Sequence, residues 1–237
     1  MATQVYTIGR ELGSLGLLVG QKLAERLGVK CYDKEILQKA AKESGFCEEI
    51  FETHDERPTN SFLYSLVMDT YSASNYASAP FLDMPLNHKV FLAQFDAIKH
   101  IAEKESCVIV GRCADYALAN HPDCINIFIH SDLEDRVKLI SKRMDLTENK
   151  AKDLINKTDK QRASYYNYYT SKRWGDAREY DLCLNTSKLT VDQCVDLILN
   201  FRKCMDEKKG NVFTNNQYLD SFQPFASSAN TKKKKKK

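Results

Sequence analysis

The chain has 237 residues, 43% apolar and 28% charged, which suffices to bury a sizeable core in one domain or in a domain with an inserted lobe, and excludes disorder throughout. Its formal charge of +3 comes from the six lysines at 232–237; subtracting those six leaves the body at −3, so the footprint of a general nucleic-acid binder is absent and an anion site has to be built from local arginines and backbone amides. Apolar runs are strand-sized, no leader-like segment opens the chain, and the eight cysteines form no CxxC pair or zinc-spaced cluster, so a soluble, cytoplasmic protein with reduced thiols, no metal held by cysteine and no membrane span is expected.

Residues 4–8 read as a strand, and 17–27 as an amphipathic helix carrying Leu18, Leu23 and Leu27. Between them, Gly9, Gly13 and Gly16 give the turn the close backbone approach that lets successive N–H groups point at an anion, and the helix adds the positive end of its dipole. No lysine follows the last glycine, so the full GxxxxGK[ST] pattern is not matched, and a strand-to-helix turn that merely needs glycine accounts for this segment equally well.

A second strand is expected at 29–32 and a helix at 34–44, with Asp33 between them as an N-cap or as a ligand for a hydrated magnesium ion or a sugar hydroxyl. From about 45 to 86 the pattern loosens around Pro58 into a stretch that reads as an inserted lobe covering a site. Residues 89–103 form a helix with a core stripe of Val90, Phe91, Phe95, Ile98 and Ile101, capped by Asn87.

Strands follow at 107–111, 125–130 and 180–185, and helices at 112–119, 133–143 and 191–205. Ser131 with Glu134 and Thr190 with Gln193 have capping-box spacing. Residues 146–175, dense in charge and tyrosine, read as a mobile lid, and 206–237 as a disordered Lys-rich tail. A solvated tail is the main reading of its lysines; contact with an anionic surface such as lipid or RNA is the other.

Strand and helix alternate, the pattern of a parallel sheet covered on both faces, whose ligands bind beyond the carboxyl ends of the strands. The residues just after the strands are the turn from Arg10 to Gly16, Asp33, Gly111 with Arg112, and Ser131 with Asp132. A guanidinium at Arg112 can grip a phosphate or carboxylate with paired donors, with a surface salt bridge as the alternative. Arg136, Arg143, Lys160 and Arg162, with Asp159 among them, lie in and just before the lid. Phosphoryl transfer needs such positive charge around three equatorial oxygens.

The stretches Ile8-Gly-Arg-Glu-Leu-Gly-Ser14, Cys31-Tyr-Asp-Lys-Glu35, Asn60-Ser-Phe-Leu-Tyr-Ser65, Val108-Ile-Val-Gly-Arg-Cys-Ala-Asp115, Thr158-Asp-Lys-Gln-Arg-Ala-Ser-Tyr-Tyr166 and Tyr180-Asp-Leu-Cys-Leu-Asn-Thr186 resemble, in order and spacing over residues 3 to 202, the cytidylate kinase-like family of P-loop proteins. The resemblance implies a P-loop NTPase-like three-layer α/β domain over 1–205, with a five-stranded parallel sheet, an acceptor-binding lobe at about 45–86 and a lid at about 146–175. It implies ATP-dependent phosphorylation, with magnesium, of CMP or a similar small acceptor. Gly9, Gly13, Ser14 and Gly16 would then hold the donor, Asp33, Arg112 and Asp159 the acceptor, and Arg10, Arg143 and Arg162 would act as catalytic cations.

Relatives usually read Gly-Ser-Gly-Gly-Arg where this chain reads Gly13-Ser-Leu-Gly-Leu17. Leu15 restricts a turn that calls for positive φ, and Leu17 removes a cation that Arg10 or a lid arginine has to replace. A catalytically degenerate nucleotide-binding module is therefore the alternative reading.

Overall fold

The computed structural model describes residues 3–33 and 85–208. The helix expected at 34–44, the lobe except for its last two residues, and the tail from 209 onward lie outside the described residues. The chain divides into two compact units, Met1–Ile198 and Leu199–Lys237; the first holds the sheet.

The elements are β1 (Val5–Arg10), α1 (Gly16–Leu27), β2 (Lys30–Tyr32), α2 (Leu86–Lys104), β3 (Cys107–Val110), α3 (Ala114–Ala117), β4 (Cys124–His130), α4 (Leu133–Met144), α5 (Glu148–Thr170), β5 (Leu182–Asn185) and α6 (Val191–Lys208), with one 3-10 turn at Ala177–Glu179. Five parallel strands pair in the order β2-β3-β1-β4-β5. Central β1 and β3 are buried on both faces: Val5, Tyr6 and Ile8 of β1 and all of Cys107–Val110 are at most 1% exposed. Such strands read as continuous apolar runs. The first crossover carries the chain from β1 past β3 to β2, and a later one brings it to β4 on the other side of β1. The crevice beside the end of β1 is thus a topological switch point, where sheets of this kind bind ligands.

Local departures from the sequence-based expectation have physical causes. β1 extends to Arg10 because Gly9 and Arg10 still pair with Phe128 and Ile129 of β4. The helix expected at 112–119 shrinks to one turn, since Gly111, Arg112 and Cys113 all have positive φ, 79, 54 and 54°. Asn87 does not cap α2, which already starts at Leu86 behind Pro85. Ser131 does not cap α4 either: Asp132 holds the N-cap position, and the Ser131 hydroxyl meets that of Ser187 at 2.8 Å. The Thr190–Gln193 box does form, with reciprocal bonds of 2.9 and 3.2 Å.

Most of the segment expected as a lid is α5, one 23-residue helix. Near its start, Ala151 and Ile155 are fully buried against Val137 and Ile140 of α4. Its second half is docked through tyrosines, with Tyr165, Tyr166 and Tyr169 packed around Phe91 and Cys113. Their hydroxyls donate to Gln94 Oε1 (3.2 Å), Asp115 Oδ2 (2.6 Å) and the Asn87 carbonyl (3.3 Å), and the Tyr168 hydroxyl lies 3.1 Å from His88 Nε2. Burial pushes the Asp115 carboxyl up and draws His88 down to about 4.

Candidate phosphate-binding site

The turn that leaves β1 is fixed from beneath. Glu11 N–H donates to the Ile129 carbonyl at 3.1 Å. The fully buried Ser14 donates its hydroxyl to the Glu11 carbonyl at 2.9 Å, and Thr186, at the end of β5, donates to the Ser14 carbonyl at 2.9 Å. Ser14 therefore shapes the turn through its side chain instead of presenting it to a ligand.

Leu15 occupies the N-cap of α1 at φ 60°, with no side-chain cap. The first helical bond runs from Val19 N–H to the Leu15 carbonyl, so the N–H groups of Gly16, Leu17 and Leu18 emerge at the positive end of α1 without a helical acceptor. Gly16 is needed here for close approach: a Cβ would stand 2.5 Å from Cβ of Arg10. At Gly111 a Cβ would run into the Arg10 guanidinium. The side chain of Arg10 thus crosses from the turn to the end of β3.

There it joins Asp33 and Arg112. Arg112, 5% exposed, donates from Nη1 to Asp33 Oδ1 at 2.5 Å and to the Val110 carbonyl at 3.2 Å, while Arg10 Nη2 stands 3.9 Å from the same Asp33 oxygen. Arg162, from α5, donates to the Arg10 carbonyl at 3.1 Å. Asp159 lies apart from the Asp33 group: it accepts from the Leu12 N–H at 2.8 Å and pairs with Arg136 at 2.5 Å.

A cleft of about 370 Å³ opens over the turn, walled by Gly13, Leu15, Gly16, Leu17 and Leu18 on one side and Leu139, Ile140 and Arg143 on the other, with Arg10, Asp33 and Arg162 at its edge. Lys160 is exposed and not on its wall. Behind Gly9, Arg10 and Arg112 a cavity of about 20 Å³, lined also by Asp115, Tyr166, Trp174 and Tyr180, has room for one water molecule. No group of three or more His, Cys, Asp or Glu among the described residues is placed to hold a metal.

Most of the residues singled out after the strands therefore meet in one crevice: Gly9, Arg10, Gly13, Gly16, Asp33 and Arg112, joined by Arg143 and Arg162 from the helices. Glu11 and Thr186 also hold the turn, and no local sequence pattern marks either for that role. Their partners, Ser131 N–H for Glu11 Oε2 at 3.1 Å and Ser14 for Thr186, are remote in sequence, so only the fold reveals them.

The model of the cytidylate kinase-like family matches residues 5–188. The chain belongs to the cytidylate kinase-like family. No curated protein matches it. Among solved structures, this family member is similar to an uncharacterized protein from Eubacterium ventriosum, with 30% identity, a TM-score of 0.60, and 85% of this chain and 99% of that one covered. It also shares its fold with shikimate kinase from Bacteroides thetaiotaomicron, at 11% identity and a TM-score of 0.50, over 84% of this chain and 98% of that one. The α/β fold is thus that of the P-loop kinases, carried here by a cytidylate kinase-like chain whose turn presents Leu15 and Leu17 to the cleft. No helix among its described residues is long and apolar enough to cross a membrane.

Proposed function

We propose that this protein transfers a phosphoryl group from ATP to a small acceptor, CMP or a similar monophosphate, in a cytoplasmic setting to which its free thiols are suited. The observation that carries the proposal is the meeting of the open N–H groups of Gly16, Leu17 and Leu18 with Arg10, Arg112 and Arg162 at the switch point of the sheet. The amides and Gly13 would receive the donor phosphates. Arg10 would supply the cation that the turn lacks, and Arg112, oriented by Asp33, would grip the acceptor.

Arg143 and Arg162 would bring positive charge to the transferred group. The residues fit an anion of this kind. Magnesium fits as a companion of the phosphates: Glu11 and Asp33 are the carboxylates on the cleft, and both are engaged with arginine. When bound beside these carboxylates, the ion would offset the negative charge of the phosphates. An acceptor phosphate is already ionised and needs no strong base, so positioning and charge would supply the rate.

A coupled ADP-release assay across a panel of nucleoside monophosphates with magnesium, beside a direct measurement of ATP binding, tests this reading. Turnover on a monophosphate supports it. The two leucines on the cleft favour a second reading, a nucleotide-binding module without transfer, and ATP binding with no turnover on any acceptor would select it. Neither binding nor turnover would overturn both.

A further inference from the structure

One ion pair, drawn from two helices, holds both polar groups of Leu12. The Leu12 N–H donates to Asp159 Oδ1 of α5 at 2.8 Å. Its carbonyl accepts from Arg136 Nη1 of α4 at 3.4 Å, and that same nitrogen lies 2.5 Å from Asp159 Oδ2. The side chains of Arg136 and Asp159 are only 10% and 16% exposed. Arg136 Nε also faces Glu11 Oε2 at 3.5 Å, and the next residue, Gly13, rests on Arg136, where a Cβ would come 3.2 Å from that of the arginine. The phosphate turn is therefore seated on α4 and α5 by a buried charge pair that reaches its backbone.

We propose that Asp159 is a positioning residue for the phosphate turn. Resting on the reading of the cleft as a nucleotide site, its role is to set the path of residues 12–15 so that the amides beyond them face the cleft. By the same seating it brings Arg162, three residues further along α5, to the Arg10 carbonyl. Simple charge makes the opposite prediction. A carboxylate beside an anion site repels the anion, so its removal should tighten binding; removal of a positioning group should weaken it. Asparagine keeps an oxygen for the Leu12 N–H and loses the charge pair, whereas alanine loses both.

The test compares the full chain with Asp159→Asn and Asp159→Ala in two measurements: amide hydrogen exchange at Leu12 without ligand, and calorimetric binding of Mg-ATP. Exchange at Leu12 is expected to quicken on the order of tenfold or more in the alanine variant and less in the asparagine variant, and the ATP dissociation constant is expected to rise on the order of tenfold with partial rescue by asparagine. Unchanged exchange, or ATP binding tightened alike in both variants, would overturn the proposal. If the wild-type chain binds no ATP, the nucleotide reading fails by itself and the exchange measurement decides the role of Asp159. If the alanine variant does not fold, Asp159→Asn against wild type decides both measurements in the same directions.

Discussion

The Thr186 hydroxyl donates to the Ser14 carbonyl at 2.9 Å across 172 positions of sequence. It is also 3.2 Å from the His130 carbonyl, so the ends of β4 and β5 and the turn after β1 share one hydroxyl. Thr186→Val keeps the shape of the side chain and removes the donor. The expected outcome is a loss of about 1 kcal/mol in urea denaturation together with weaker Mg-ATP binding by calorimetry. A variant with reduced stability and unaltered ATP affinity would limit Thr186 to a purely structural role.

Leu15 sits at φ 60°, where an L-residue with a branched side chain is strained by about 1–2 kcal/mol. Glycine relieves this and adds freedom to the unfolded chain, so Leu15→Gly is expected to raise stability by about 1 kcal/mol or less. Leu17→Arg places a cation on the cleft, at a slight cost because it stands at the positive end of α1. Together the two changes are expected to raise ATP-dependent transfer on the order of tenfold, the worth of one charge-assisted contact. Flat turnover and flat ATP affinity would mean that Arg10 already supplies the charge.

Arg112 is expected to separate the two substrates. Arg112→Ala should weaken binding of the acceptor monophosphate on the order of a hundredfold and leave ATP binding within a few-fold of wild type. Because the substitution strips Asp33 of the guanidinium 2.5 Å from its carboxylate and leaves the Val110 carbonyl without this donor, a denaturation curve has to accompany the binding data. Equal losses for both ligands would place Arg112 in the donor site or in the scaffold.

His88 gives the fold an acid limit. Burial lowers it from 6.5 to about 4, so the unfolded chain takes up the proton first. The stability contributed by the neutral ring is complete above pH 6.5 and declines as the pH falls towards 4, by about 2–3 kcal/mol in all. Urea denaturation at pH 7 and pH 4.5 should therefore show a steeper decline for wild type than for His88→Gln. Equal slopes would show that the ring is solvated.

The five strands were legible because each is a short apolar run followed by glycine or a polar residue, and the gathering of the candidate residues in one crevice was legible because a parallel sheet brings the residues after its strands to one end. Leu15 was recognisable as a constraint on the turn, and its left-handed φ is the form that constraint takes. The pairing of Arg112 with Asp33, 79 positions apart, could not be read from spacing. Ser131 looked like a cap only while Ser187 was out of view. In α5, charges on the exposed face mask the apolar stripe of Ala151, Ile155, Tyr165, Tyr166 and Tyr169, and the partners of its tyrosines belong to α2 and α3.

The tyrosine anchoring of α5 fixes the end about which the α4–α5 hairpin would turn if it moved as one piece. From Asp159 back to Glu148 the arm measures about 17 Å at 1.5 Å per residue, so a rotation of about 20° would carry its tip about 6 Å. Arg162 sits beside the fulcrum and would hardly travel in such a rotation. Arg143, near the tip of the α4–α5 hairpin and already on the cleft wall, would travel with it. The gap between the two arginines is therefore the dimension of the crevice that such a swing would alter.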